Sequence, residues 1–234
     1  MHNQWRRIAT GLVLFGISFG YVEAAVVVYL RTIYEPLRRQ LYPQLAAADL
    51  FPLMTYEQLR AKEPDRVRLV GAELAREAAT LLMLAGVALV AAGSWKLWLP
   101  AFALAFGTWD ISYYVFLKVL IDWPASLFTW DILFLIPVPW AAPVLAPALV
   151  SVSIIATGLI ALRRSVRMHV LHWAGLVVGG SLVLLSFVWD SPNIIAGGLP
   201  HRFEWVVFTT GELVSVSVFL HAVRRTDRTK AGGY

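Results

Sequence analysis

Cysteine is absent from all 234 residues, which excludes a disulfide framework and any thiolate metal site. Charge is scarce too, at 15% of residues. The H-E-x-x-H zinc helix and the Walker phosphate loop do not occur, so neither zinc-protease nor P-loop nucleotide chemistry is written in the chain. No low-complexity stretch or long polar linker marks a second domain, and residues 1–234 are expected to form a single integral membrane domain.

What fills the chain is apolar surface. Hydrophobic residues make up 59% of it, and the mean hydropathy is +0.66. That is too much apolar surface for one soluble core and reads as membrane-embedded. The net charge of +5 does not indicate nucleic acid, because the basic residues stand at the ends of apolar segments, where they set membrane orientation.

A membrane crossing needs about 20 mostly apolar residues. Segments near 8–30, 68–93, 96–121, 126–162, 168–189 and 203–223 qualify. The expected fold is therefore all-α: a polytopic transmembrane bundle of about six spans. The fourth segment is too long for a straight crossing, since its helix would run about 55 Å against a hydrocarbon core of about 30 Å. Pro137, Pro139, Pro143 and Pro147 must break it. The break predicts either a kinked crossing or a half-helix over 126–136, an irregular turn, and a second half over 147–162.

An even number of crossings puts both termini on one side. Arg6, Arg7, Lys96, Arg163, Arg164, Arg167, Arg224, Arg225, Arg228 and Lys230 all fall on that side, which the positive-inside rule makes cytoplasmic. The expected location is a bacterial-type inner membrane. Trp5, Trp95, Trp98 and Trp173 would mark the inner interface, and Trp123, Trp189 and Trp205 the outer one. The 31–67 segment, with Thr55 and Gln58 at capping-box spacing, predicts short helices over the outer surface, either as a lid or as interfacial packing.

Inside this apolar frame, the tetrapeptide TWDI occurs at 108–111 and again at 129–132, each placing an aspartate in a greasy run. Counting from the turn at IDWPA, Asp110 and Asp131 differ in depth by about 8 Å and share the outer half of the membrane. Glu23, Glu73, Glu77 and Glu212 fall in that half as well, whereas the inner halves of the spans carry no carboxylate, lysine or arginine. A charge at the bilayer centre costs about 2.5–3.5 kcal/mol or more, so such groups face the bundle interior or a wet cavity. Glu73, Arg76, Glu77 and Thr80 form one helical stripe. Glu23 shares a face with Gly16 and Gly20, residues small enough for close helix contact. Thr209, Glu212 and Ser215 make a stripe on the last span. These patterns predict a polar pocket in the outer half, above an apolar floor.

Mutual neutralisation is one reading of the set: Arg76 between Glu73 and Glu77, with Lys118 or Arg31 against Asp110 or Asp131. The acids outnumber the buried cations, however. Crowded carboxyls in low dielectric let a neutral acid and an ionised base coexist, which suits acid–base catalysis. Glu77 and Asp110 are the leading catalytic candidates, with Arg76 to orient an acid or the substrate and Tyr113 to donate a proton. An oxygen-only cage of Glu23, Glu77, Asp110, Asp131 and Glu212 would instead hold a divalent cation, Mg²⁺, Mn²⁺ or Ca²⁺. His201 is the one histidine near that depth; His169, His172 and His221 gather at the inner interface, where a metal or haem is geometrically possible.

Three functions fit: an enzyme acting on membrane lipid or another lipophilic substrate, a proton- or cation-coupled small-molecule transporter, or a non-catalytic subunit of a membrane complex. Homo-oligomers and membrane-complex partners are compatible with all three. An apolar floor favours the enzyme, since chemistry at one leaflet needs access from one side only.

Overall fold

The computed structural model describes residues 4–45, 56–62 and 67–231, without the side chains of residues 56, 67 and 228–231. Thr55, Glu63, Asp65 and the side chains of Arg228 and Lys230 lie outside that set. The protein is an integral membrane bundle of six long apolar helices. These are α1 (Gln4–Leu41), α3 (Val67–Ala92), α4 (Trp95–Ile121), α5 (Leu145–Arg163), α6 (Val170–Val188) and α8 (Trp205–Ala231). The short α2 (Tyr56–Lys62) and α7 (Ser191–Ile195) cover the end opposite the termini.

The first helix runs well past the predicted end at residue 30. Its 38 residues extend about 57 Å, so its last turns project beyond a hydrocarbon layer of about 30 Å. Pro36 lies inside it. At the other end, the Arg163 guanidinium of α5 sits over the Trp5 ring of α1, and Arg164 pairs with Asp227 of α8 at 3.4 Å. The chain termini therefore share one face of the bundle.

The half-helix expected over 126–136 does not form. In its place β1 (Trp130–Phe134) pairs antiparallel with β2 (Trp140–Pro143), Asp131 opposite Ala142 and Ile132 opposite Ala141. A bulge lies between Ile132 and Phe134. The proline-broken crossing is thus a hairpin followed by one helix. Three prolines within seven residues, 137 to 143, remove the donors a helix needs. A two-stranded pairing leaves fewer of the remaining groups unmet. Below the hairpin, the first donors of the crossing helix are also satisfied: Val144 N–H bonds Thr129 O at 3.0 Å and Leu145 N–H bonds Leu127 O at 2.8 Å.

Close backbone approach holds the helices together. Gly16 and Gly20 of α1 meet Thr108 and Ser112 of α4 so tightly that an added Cβ at Gly20 would lie 2.7 Å from Ser112 Cβ. Gly107 of α4 meets Ser151 O of α5, and Gly179 of α6 meets Gly211 of α8. Gly16, Ser18 and Gly20 also spell the G-x-S-x-G of a hydrolase nucleophile elbow. Here the pattern lies in mid-helix with Ser18 exposed, so its glycines serve packing and no elbow exists. The core is apolar and lies toward the terminal face, around Leu12, Leu84, Ala88, Ala101, Leu104 and Trp109. Outward, Leu82, Val90, Val119 and Val206 are largely exposed, as lipid-facing side chains must be.

Candidate functional site

Acids from distant parts of the chain meet around one cavity of about 260 Å³. Glu23 and Arg31 come from α1, Glu73, Arg76, Glu77 and Thr80 from α3, Asp110, Tyr113 and Tyr114 from α4, Asp131 from β1 and Ser151 from α5. Phe106, Trp109, Phe134, Trp140 and Phe187 complete the wall. Depth follows from helix rise: Asp110 lies about 16 Å below the end of α4 and Glu77 about 15 Å below the start of α3.

Each acid of the cavity has a definite partner. Arg76 engages Glu23 of α1 and Glu73 of its own helix, with Nε donating to Glu73 Oε2 at 2.9 Å. Thr80 Oγ1 donates to Glu23 Oε2 at 3.3 Å. Asp131 accepts the Tyr114 hydroxyl at 2.9 Å and lies within electrostatic reach of Arg31, whose guanidinium stacks 4.1 Å over the Trp123 ring. Asp110 accepts the Ser151 hydroxyl at 2.8 Å. Glu77 accepts the backbone N–H of Leu135, at the tip of the hairpin, at 2.8 Å.

The partners divide the acids into two kinds. Glu23 and Glu73 are ion-paired, and Asp131 has Arg31 nearby. Glu77 and Asp110, both buried, have no cation within ion-pair distance among the described residues and are held by neutral donors. Arg76 is within electrostatic reach of Glu77, but its ion pairs go to the other two acids. The Tyr113 hydroxyl is within reach of Asp131, Arg31, Arg76 and Asp110 together.

A cap at the end opposite the termini closes over the cavity. Leu59 of α2 lines it and packs with Leu37 and Tyr42 at the end of α1. Arg38 is buried there. It grips Glu35 with Nε at 2.7 Å and Nη2 at 2.8 Å, and it donates to Leu45 O at 2.8 Å. Gln58 Nε2 reaches Tyr42 Oη at 3.4 Å.

Of the residues anticipated from sequence, Glu23, Arg76, Glu77, Asp110, Tyr113 and Asp131 all line this cavity. Glu212 does not. It faces Ser153 of α5, its Oε1 buried without a partner, away from the other acids. No group of three carboxylate or imidazole residues among those described comes together as a metal cage. Arg76 was expected between Glu73 and Glu77, and its second partner is Glu23 instead. Lys118 turns outward to Asp122 at 2.7 Å, so it pairs with neither aspartate of the cavity. His201 bonds Asp190 through its backbone N–H at 3.0 Å, outside the site. Trp123, expected as an interface anchor, is 1% exposed and serves the Arg31 stack.

Arg31, expected against Asp110 or Asp131, lies within electrostatic reach of Asp131, whereas Tyr114 and Ser151 had no place in the expected site. Arg31 had a signal, since Glu23, Val27 and Arg31 recur at i, i+4, i+8 and all line the cavity. Tyr114 likewise stands four residues after Asp110. Ser151 had none, being one hydroxyl in a helix of several. Comparison with protein-family models, with curated proteins and with solved structures finds no match to this chain. Function then follows from the chemistry of the site.

Proposed function

We propose that this membrane protein is an enzyme that takes a lipophilic substrate with a polar head into the cavity and acts on it by acid–base catalysis at Glu77 and Asp110. The observation that carries the proposal is the division of partners. Ion-paired acids hold the helices in register, while two buried carboxyls stay on neutral donors beside the cavity, free to gain or lose a proton without breaking a salt bridge. One carboxyl serves as base in its ionised form and the other as acid in its protonated form, an arrangement worth about 10²–10⁴ in rate. The Tyr113 hydroxyl supplies a hydrogen bond to charge developing on the substrate head. Arg76 acts through Glu23 and Glu73 by fixing α1 against α3. The aromatic wall accepts the apolar portion, and the cap excludes water. The site would face the outer leaflet of an inner membrane, with both termini cytoplasmic.

The test is turnover. Purified protein reconstituted with a total bacterial lipid extract is followed by mass spectrometry against E77Q and D110N. A product made by the wild type and lost in both variants is expected; identical lipid profiles for all three overturn the enzyme reading.

One observation favours a transporter as the second reading. The hairpin places non-helical backbone against the cavity, as broken spans do at transport sites. Gradient-driven flux into sealed vesicles, without product formation in micelles, would select that reading.

A further inference from the structure

A second cluster lies at the opposite end of the bundle, on the face that carries the termini. His169 and His172 begin α6, and His221 and Arg225 stand near the end of α8. The imidazole centroids of His169 and His172 are 5.7 Å apart and those of His172 and His221 are 5.5 Å apart. With Arg225 and Val218, these rings line one cleft, whose walls contain no carboxyl group. Arg225 and the outer two imidazoles are close enough to His172 to act on it electrostatically. The nearby carboxylate of Asp227 is engaged by Arg164, and no carboxylate among the described residues is in ion-pair distance of Arg225.

His172 gives the cleft a direction. It is 6% exposed, and its Nδ1 accepts the backbone N–H of His169 at 3.1 Å. That bond places the proton of the neutral ring on Nε2. No described group accepts from Nε2, so this N–H is open to a ligand in the cleft. Donors and positive charge without an acid call for an anion of several oxygens. The rings do not form a metal-holding group among the described residues.

The surroundings choose the source of that anion. Val170 and Leu171, on the same first turn of α6, are each 79% exposed, and Trp173 is 44% exposed. An acyl chain can lie along these side chains while its head group sits in the cleft. We infer that the cleft formed by His169, His172, His221 and Arg225 binds the phosphate of an anionic phospholipid from the leaflet on the terminal side. Basic pockets between helices at that level are suited to such head groups. This site is separate from the acidic cavity and does not depend on its chemistry.

The experiment uses the full-length protein in detergent, titrated with phosphatidylglycerol, phosphatidylcholine or inorganic phosphate and read by native mass spectrometry. Variants H221Q and R225Q alter exposed side chains, and K96Q, on the same face but outside the cleft, is the control. Saturable phosphatidylglycerol binding that weakens about fivefold in R225Q, weakens also in H221Q and is unchanged in K96Q supports the site. Equal binding by wild type, H221Q and R225Q overturns it, provided their thermal melts coincide. Displacement of the lipid by inorganic phosphate at equal concentration overturns the lipid source in favour of a free anion. Zinc binding that H221Q abolishes, with lipid binding unaltered, overturns the anion assignment.

Discussion

Glu77 of α3 accepts the main-chain N–H of Leu135 at 2.8 Å, a bond that crosses 58 residues of sequence and ties the tip of the hairpin to the second crossing. The same carboxyl stands beside the cavity and has no ion-pair partner, so one residue joins architecture to the proposed chemistry. The two roles separate by substitution. E77Q keeps an acceptor oxygen but cannot ionise, and it should melt near the wild type while losing turnover. E77A leaves the Leu135 donor unmet, at about 1–3 kcal/mol, and should melt lower. Thermal unfolding in detergent alongside the lipid-turnover assay checks both.

Arg76 neutralises acids on two helices. Removing it as R76M strands Glu23 and Glu73 together, which should destabilise the protein by about 3 kcal/mol. The triple variant R76M/E23Q/E73Q removes the stranded charges and should recover much of that loss. Equal instability of the single and triple variants would show that Arg76 acts by packing rather than by charge.

The α1–α4 contact allows no added carbon at Gly20, where a Cβ would meet Trp109 O at 2.8 Å and Ser112 Cβ at 2.7 Å. G20A should cost about 1–3 kcal/mol. Gly86, with open space around its Cβ position, is the control, and G86A should melt at or slightly above the wild type.

Arg38 pins the cap through Glu35 and Leu45 O. Because the chain has no cysteine, one introduced thiol reports without background. T80C, at a position 2% exposed beside Glu23, should react slowly with a soluble maleimide and faster when combined with R38M. Unchanged rates would mean that the cap does not control access.

Orientation is open to the same chemistry. A125C, in the turn after α4, and K96C, at its start, lie at opposite ends of one crossing. With cytoplasmic termini, an impermeant maleimide applied to intact cells should label A125C and spare K96C. The reverse pattern would invert the protein.

Much of this architecture could be read from sequence because membranes impose two demands that leave plain marks. Spans must be long and apolar, and charges within them must converge. Both rules found the six crossings and placed Glu23, Glu77, Asp110 and Asp131 together. Glu212 satisfied the same depth rule yet faces Ser153, because depth does not specify which side of a helix meets which neighbour. The 126–144 stretch was misread for a different reason. Its apolar run has neither helical nor alternating period, and prolines say only where a helix stops. The pairing that replaces the helix is stabilised by an acceptor on α3, which no local pattern reveals.

The hairpin has a consequence for biogenesis. Synthesis delivers α3 and α4 before the strands exist, so Glu77 enters the bilayer ahead of the amide that will occupy it. The nascent bundle therefore holds an uncapped acid until β1 and β2 pair at the end opposite the termini. Any chain that stops between residues 93 and 134 lacks the Leu135 amide and leaves that carboxyl without its donor.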